Sequence, residues 1–322
     1  MERLREGEAV LATLARLDPD LVDEHLGLAD GLGCRPETIA ALWARRTPAP
    51  ERAGCTLFAA ADPRHQRTLV GRNFDLRVED IERRLLIYRP SRESIGEGSG
   101  PAAGEPSRAA IGGCGGLVGR LDGVNGRGLA AAAAEVFVDD PGAFWGPAGP
   151  PAGALDCSLV LRIILDRCAT VGEAVALARE VPQWTAFNFL VADRTGDMAV
   201  VEYAGPWTQV RRPRLGGSHI AATNHYESPS LRGCSRNGSL THRRYTRVLE
   251  ALGAIEAVTP ETFEGILSSP GVHQRHITLW SIVLDPGDGL IYLAPGRPDR
   301  NPYRRFEVDG RTAYAEEISV IA

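Results

Sequence analysis

The chain repeatedly sets two short runs of apolar or alternating residues on either side of a tight turn, and this pattern restricts its fold more than any other. CTLFAA (55–60) and TLVGRNF (68–74) flank a turn at Asp62-Pro63. Phe187–Ala192 and Met198–Tyr203 flank Asp193-Arg194-Thr195-Gly196. Thr278–Leu284 and Leu290–Leu293 flank a Pro-Gly-Asp-Gly turn, and Phe306–Val308 and Arg311–Tyr314 flank Asp309-Gly310. Each pair reads as a β-hairpin, with Asp-Gly among the favoured tight turns. Helical patterns are grouped between the hairpins. Leu159 to Cys168 is nearly all apolar and reads as a buried helix. Thr170 and Glu173 form a capping-box pattern ahead of Val171, Ala174, Val175 and Ala178 on one face. Residues 241–253 carry Tyr245, Val248, Leu249 and Leu252 at helical spacing. Antiparallel hairpins with grouped helices predict an α+β protein rather than an alternating parallel βαβ sheet.

Ahead of the first hairpin, residues 1–47 read as helical. Leu4, Leu11 and Leu14 share a face, Asp18-Pro19 breaks the run, and a second segment passes through Leu21, Leu26 and Leu28 to Gly31 and Gly33. Pro36 opens a third helix carrying Ile39, Leu42 and Trp43. TPAPERAG (47–54) is a short extended linker. Two Gly- and Pro-rich stretches, 93–116 and 139–154, read either as mobile loops over a pocket or as plain surface loops.

Composition removes several classes of function. The 36 basic residues are all Arg and the acidic residues number 41, for a net charge of −5. Without Lys, Schiff-base chemistry, Ser-Lys dyads and a phosphate-loop Lys are excluded. An acidic protein whose RRPR and PYRR clusters lack interleaved aromatic residues is not expected to bind nucleic acid. No apolar run is long enough to span a bilayer, and the first residues lack a signal peptide's apolar core; a cytoplasmic protein with no membrane partner is expected. The six Cys residues include no Cys-x-x-Cys, so neither a zinc ribbon nor a disulfide framework is expected. His273 and His276 lack the pattern of a zinc-protease helix, and no metal is implied.

The seam at Gly54-Cys55 is where chemistry is expected. A helical segment ends, Gly precedes Cys, and the Cys begins a strand whose return carries Gly71-Arg72-Asn73-Phe74-Asp75. The hairpin would bring Cys55 close to Arg72 and Asp75. A thiol has a pKa of about 8.5 and attacks as the thiolate, which a nearby Arg favours. If the 54–55 bond were cut, Cys55 would also own an α-amine of pKa about 7.7–8, able to act as base for its own thiol. Asp75 could then orient that amine. The plainer reading of Cys55 is a buried structural Cys, and of Arg72 and Asp75 an ion pair on a strand surface. Cys114, within GGCGG, has no base directed at it. His225 beside Asn224 suggests a Cys-His pairing, but the residues around the Cys differ from those of papain-like enzymes.

GCTLFAA and LVGRNFD resemble the nucleophile region of N-terminal-nucleophile amide hydrolases, nearest to the autoproteolytic branch typified by isopenicillin-N acyltransferase. Bile-salt hydrolases, acid ceramidase and N-acylethanolamine acid amidase are more distant relatives. HLGLADGLGCRPETIAALWARR, LDGVNGRGLAAAAAEV, FLVADRTGDMAVVEY, ATNHY, HRRYTRV and TLWSIVLDP follow in the order that family shows. The resemblance implies a four-layer αββα sandwich of two antiparallel sheets flanked by helices. It implies self-cleavage between Gly54 and Cys55, dividing the chain into a helical segment 1–54 that stays docked and a catalytic core 55–322. Cys55 would be the nucleophile, Arg72 would sit against its sulfur, and Asp75 against its amine. Asn224 would donate to the oxyanion. Glu135 falls at an active-site position that is Asn in bile-salt hydrolases and Glu in the acid amidases. Arg244 would point from its helix into the site.

The implied activity is that of a linear-amide hydrolase or N-acyltransferase, acting on a small-molecule amide through a Cys acyl-enzyme, with no cofactor. Phe144, Trp145, Trp184 and Tyr226 are candidates either for an acyl pocket or for core packing. A catalytically silent relative that binds a ligand is the alternative function, and a homo-oligomer is left open.

Overall fold

A computed structural model describes residues 2–42, 54–76, 84–88, 110–111, 114–115, 118–139, 141–236, 238–274, 276–308 and 315–319, without the side chains of 84–88, 110–111, 114–115, 141–143 and 315–319. The helices are α1 (Glu2–Leu17), α2 (Pro19–Leu32), α3 (Pro36–Ala40), α4 (Cys157–Arg167), α5 (Val171–Glu180), α6 (Ser239–Ala254) and α7 (Pro260–Ser268). The first eight strands are β1 (Thr56–Asp62), β2 (Arg67–Asp75), β3 (Arg84–Tyr88), β4 (Ala110–Ile111), β5 (Cys114–Gly115), β6 (Gly119–Arg120), β7 (Asp122–Asn125) and β8 (Leu129–Glu135). The others are β9 (Ala186–Asp193), β10 (Met198–Ala204), β11 (Trp207–Arg211), β12 (His219–Ala222), β13 (Thr278–Asp285), β14 (Leu290–Pro295), β15 (Arg304–Glu307) and β16 (Ala315–Ser319).

Two six-stranded antiparallel sheets carry the fold. One runs β12-β1-β2-β13-β14-β15 and the other β11-β10-β9-β8-β7-β4, with β16-β3 and β5-β6 as small pairs. The hairpins expected at 55–74, 187–203 and 278–293 form as β1-β2, β9-β10 and β13-β14. The second arm of the hairpin at Asp309-Gly310 lies outside the described residues, as does most of the stretch 93–116.

Side chains alternate across each strand, and the alternation shows the layers. On β1, Leu57, Ala59 and Ala61 join Val70, Ile282 and the β8 residues Ala130, Ala132 and Ala134 in a core between the sheets. Phe58 and Ala60 point the other way, onto Val248 and Leu252 of α6 and Phe263 and Leu267 of α7. Leu129, Ala131 and Ala133 of β8 face a third core with α4, α5 and the N-terminal helices. The order is therefore helices, sheet, sheet, helices: the four-layer αββα arrangement. Each fully buried Leu or Phe contributes about 1.5–3 kcal/mol to holding these layers together. At Gly71, a Cβ would lie 2.5 Å from the Phe58 ring, so a larger residue would displace that ring from its packing on Phe263.

The helix ends follow the sequence signals. Asp156 accepts from the backbone N–H groups of Ser158 and Leu159 to start α4, and Thr170 with Glu173 forms the capping box of α5. α4 is buried from Cys157 to Leu165. The N-terminal helices complete its cover: Val10, Leu14 and Leu17 of α1 and Leu21 of α2 share its core, and Arg162 donates to Glu24 at 3.0 Å.

One expectation is corrected, and one left open is narrowed. α3 stops at Ala40, and Leu42 is 58% exposed rather than packed. Residues 43–53, including Trp43 and most of the linker, lie outside the described residues. Within 139–154, a 3-10 segment spans Pro141–Ala148, and Gly153 packs on Ala9 and Thr13 of α1; this end of the stretch is a docked surface segment. No helix among the described residues is long and apolar enough to cross a membrane.

Candidate active site

Register places the site. β1 and β2 pair Leu57 with Arg72 and Thr56 with Asn73. Cys55 is two residues before Leu57, so it shares the inter-sheet face and lies diagonal to Arg72. Arg72 Nη2 is 3.8 Å from Cys55 Sγ, and both residues are buried. Arg72 is not on a strand surface. Its Nη1 donates to Leu121 O at 2.9 Å and forms a short ion pair with Asp122 of β7, in the facing sheet. Its guanidinium lies 4.6 Å from the Phe74 ring centroid and 5.7 Å from that of Trp280. Trp280 Nε1 also donates to Asp122, at 2.9 Å.

This environment favours the protonated sulfur. Burial pushes the Cys55 thiol up, the Arg72 charge draws it down, and Asp75 pushes it up again. Asp75 is itself buried. Its Oδ1 accepts from the Thr278 hydroxyl at 2.6 Å, while Oδ2 has no hydrogen-bond partner among the described residues. Burial pushes its carboxyl up to about 7, with Arg244 and the Thr278 hydroxyl opposing. The Asp75 carbonyl accepts from the Gly54 N–H at 2.7 Å, pinning the residue ahead of the Cys.

From the other side, α6 delivers Arg244 to the peptide group of Cys55. Its Nη1 donates to Cys55 O at 2.7 Å and to Thr56 Oγ1 at 3.2 Å, and its Nη2 donates to Asn224 Oδ1 at 2.7 Å. Burial lowers its pKa, while Asp75 and Cys55 oppose that. Asn224 follows β12 and is fully buried. Its backbone N–H donates to Thr241 Oγ1 at 2.9 Å, and its Nδ2 donates to the carbonyl of Glu135, at the end of β8, at 2.7 Å. The Glu135 side chain is half-buried. Cys55, Arg72, Asp75, Asn224 and Arg244 thus meet at one end of the inter-sheet core, and Glu135 joins them through its main-chain carbonyl.

Sequence reasoning missed four residues. Asp122 and Trp280 set the position of Arg72; Thr278 bonds Asp75; and Gln274 Nε2 reaches Gly54 O at 3.5 Å. One signal was available: an Arg predicted inside a sandwich needs a buried acid, and Asp122 lies in the LDGVNG stretch. Gln274 had no such signal. A Cβ on Gly54 would sit 1.6 Å from Gln274 Nε2, so a larger residue there would have to push the Gln274 amide aside. Arg244 and Gln274 also line a cleft of about 360 Å³ with Arg243, Arg247, His273 and His276, giving it a basic wall.

Tyr226, a candidate for an acyl pocket, belongs to the core instead: it is fully buried with Val136, Ala186, Ala204 and Leu231, and its hydroxyl donates to Tyr203 O. Phe144 packs against the same cluster. His225 does not pair with Cys55; its ring nitrogens face Thr223, Thr241 and Glu227.

Comparison with known proteins gives the family and the fold. The profile of the family described as acyl-coenzyme A:6-aminopenicillanic acid acyl-transferase matches residues 63–300, a span that holds Arg72, Asp75, Glu135, Asn224 and Arg244 and opens after Cys55. No curated protein sequence matches the chain. Among solved structures, penicillin V acylase from Agrobacterium tumefaciens superposes with a TM-score of 0.58 at 20% identity, over 82% of this chain and 91% of that one. The Caenorhabditis elegans ortholog of N-acylethanolamine-hydrolyzing acid amidase gives 0.54 at 16% identity, over 72% and 93%. A variant of conjugated bile acid hydrolase from Clostridium perfringens gives 0.55 at 14% identity, over 83% and 98%. These likenesses identify the αββα sandwich as the N-terminal-nucleophile hydrolase fold. By its profile match, the chain belongs to the acyl-coenzyme A:6-aminopenicillanic acid acyl-transferase family.

Proposed function

We propose that this protein cuts its own Gly54–Cys55 bond and then acts as a cysteine amidase or N-acyltransferase on a small-molecule linear amide. The observation that carries the reading is the position of the Cys55 sulfur, 3.8 Å from a buried guanidinium, with its own peptide carbonyl held by Arg244. In the first reaction, Sγ attacks the Gly54 carbonyl carbon, and the thiol proton passes to the departing Cys55 nitrogen. Water then hydrolyses the thioester, leaving a Gly54 carboxylate, the Cys55 thiol and a free α-amine. Residues 55–322 become the catalytic chain, and residues 1–54 remain docked through α1 and α2.

In the mature site, the Cys55 amine takes the thiol proton as Sγ attacks the substrate carbonyl, and returns it to the leaving amine. In this reading the Asp75 carboxyl accepts from that amine; the lack of a hydrogen bond at its buried Oδ2 supports the assignment. An amide nitrogen carries two N–H groups, and Asn224 uses one of them on Glu135 O. The other is the oxyanion donor, a contribution worth about 3–4 kcal/mol in comparable sites. Water or a small amine releases the acyl group. Neither step calls on a cofactor, nucleic acid or membrane, and the reading places the enzyme in the cytoplasm.

Mass spectrometry of the purified full chain tests the proposal. Wild type should yield a fragment beginning at Cys55, and Cys55→Ala should stay whole and fail to turn over N-acyl amino acids and other linear amides. A wild-type chain that stays intact yet is active removes the self-cleavage claim. A chain whose Cys55 is never labelled by a thiol-reactive amide or β-lactone probe is a ligand-binding relative instead.

A further inference from the structure

One residue beyond Asn224, the chain builds a second cluster that the proposed chemistry does not use. His225, 1% exposed, lies with its ring centroid 3.9 Å from that of His242 on α6. Its Nε2 is 3.0 Å from Glu227 Oε1. Its Nδ1 is 3.0 Å from Thr223 Oγ1 and 2.9 Å from Thr241 Oγ1. A nitrogen of each imidazole and an oxygen of Glu227 all lie within 4.8 Å of one another. Glu227 is held in place by backbone contacts: its N–H donates to Glu202 Oε1 at 2.8 Å, and its carbonyl accepts from Arg232 at 2.9 Å. Arg232 also lies 3.5 Å from Glu227 Oε2, leaving Oε1 turned to the histidines.

We propose that His225, Glu227 and His242 form a binding site for a divalent transition metal of the Zn²⁺ type. Two imidazoles and one carboxylate with an open fourth position are a donor set that zinc accepts. Around a tetrahedral zinc with bonds of about 2.0–2.2 Å, ligand atoms stand roughly 3.3–3.6 Å apart. His225 and Glu227 already approach more closely than that, and His242 and Glu227 are only half-buried, so they can adjust around an ion. Metal-bound histidines are usually fixed by a hydrogen bond at the other ring nitrogen, and the Thr223 and Thr241 hydroxyls supply that here. With Nδ1–H donating to a threonine, Nε2 turns a lone pair toward the Glu227 carboxylate, an arrangement that a cation between them relieves. Thr241 Oγ1 also accepts the Asn224 N–H, so an ion here would tie the turn carrying the oxyanion donor to α6. The ordinary alternative is the other His225 tautomer, with Nε2–H donating to Glu227 and no ion needed.

Titration of the metal-stripped full chain with Zn²⁺ and Co²⁺ decides between them. The proposal expects one ion per chain, visible bands of four-coordinate Co²⁺ without thiolate charge transfer, and binding weakened at least tenfold in His242→Ala and in Glu227→Gln. A Cys34→Ser/Cys234→Ser variant should bind as wild type does. In wild type, Zn²⁺ should also slow modification of His242 by diethyl pyrocarbonate, a readout that needs no variant to fold. Absence of binding, binding unchanged in His242→Ala, binding lost in the Cys variant, or no protection of His242 would each overturn the site.

Discussion

Arg72 is ion-paired with Asp122 across the two sheets, and its second terminal nitrogen is the one that faces the Cys55 sulfur. The charge beside the thiol is therefore a balanced one, fixed by a carboxylate fifty residues away in sequence. Replacing Asp122 with Asn keeps the shape and removes the balancing charge. The Cys55 thiol should then ionise at lower pH, and the pH profile of its alkylation by iodoacetamide should move down. Arg72→Met should move the profile up and leave Asp122 buried without its cation, at a cost of about 3–5 kcal/mol. Alkylation profiles that do not move in opposite directions would show that Arg72 acts through packing alone.

Gly54 is held between the Asp75 carbonyl and the Gln274 amide, which lies where a Cβ would go. Gly54→Ala should displace the bond to be cut by about an ångström and slow self-cleavage by roughly a hundredfold, the penalty typical of such misplacement. Shortening the obstacle in Gly54→Ala/Gln274→Ala should restore most of the rate. A time course on denaturing gels measures both. If the double variant is as slow as the single one, the space around Gly54 is not what sets its identity.

Burial makes ionised Asp75 costly in the uncut chain. Its folded pKa of about 7 lies above the unfolded value of about 3.9, so the fold holds the protonated form more tightly. Stability is then fully present below pH 4, falls as pH rises toward 7, and is flat above it, a total of about 4 kcal/mol by linkage. In the uncleaved Cys55→Ala background, Asp75→Asn should stabilise the protein against urea at pH 8 and leave it nearly unchanged at pH 4. Equal effects at both pH values would place the Asp75 carboxyl in an ordinary environment.

Local order made much of this molecule legible. The β1-β2 hairpin follows from period-two alternation and a Pro turn, α4 from an unbroken apolar run, and α5 from its capping box. The same hairpin brought Cys55 to Arg72, because strand pairing at short range fixes diagonal neighbours. What stayed hidden depends on contacts distant in sequence. The Asp122 partner of Arg72 sits in the other sheet, Thr278 reaches Asp75 from β13, and Gln274 lies in a turn with no distinguishing pattern. Tyr226 shows a different limit: residue type alone leaves an aromatic side chain open to pocket or core, and only its neighbours in the fold place it in the core. Helical spacing continues through Leu42, but α3 ends at Ala40 and Leu42 stays 58% exposed, so apolar spacing alone overstates the helix.

The N-terminal helices carry a pH-sensitive contact of their own. Asp18, at the junction of α1 and α2, is 1% exposed, and its nearest cation, Arg167 of α4, is 3.9 Å away, too far for a strong pair. Burial, with the Asp166 charge adding to it, pushes the Asp18 carboxyl up to about 6. The docked state thus favours protonated Asp18: docking is strongest below about pH 4 and weakens as pH rises through 6. With the Gly54–Cys55 bond cut as proposed, only non-covalent contacts would hold residues 1–54. Their release, followed by gel filtration of the cleaved protein under mild urea, should be easier at pH 7.5 than at pH 5. Asp18→Asn should retain the small chain better at pH 7.5, by up to about 3 kcal/mol, and make little difference near pH 4. Release that is independent of pH, or unaffected by Asp18→Asn at pH 7.5, would mean that Asp18 reaches water before the segment leaves.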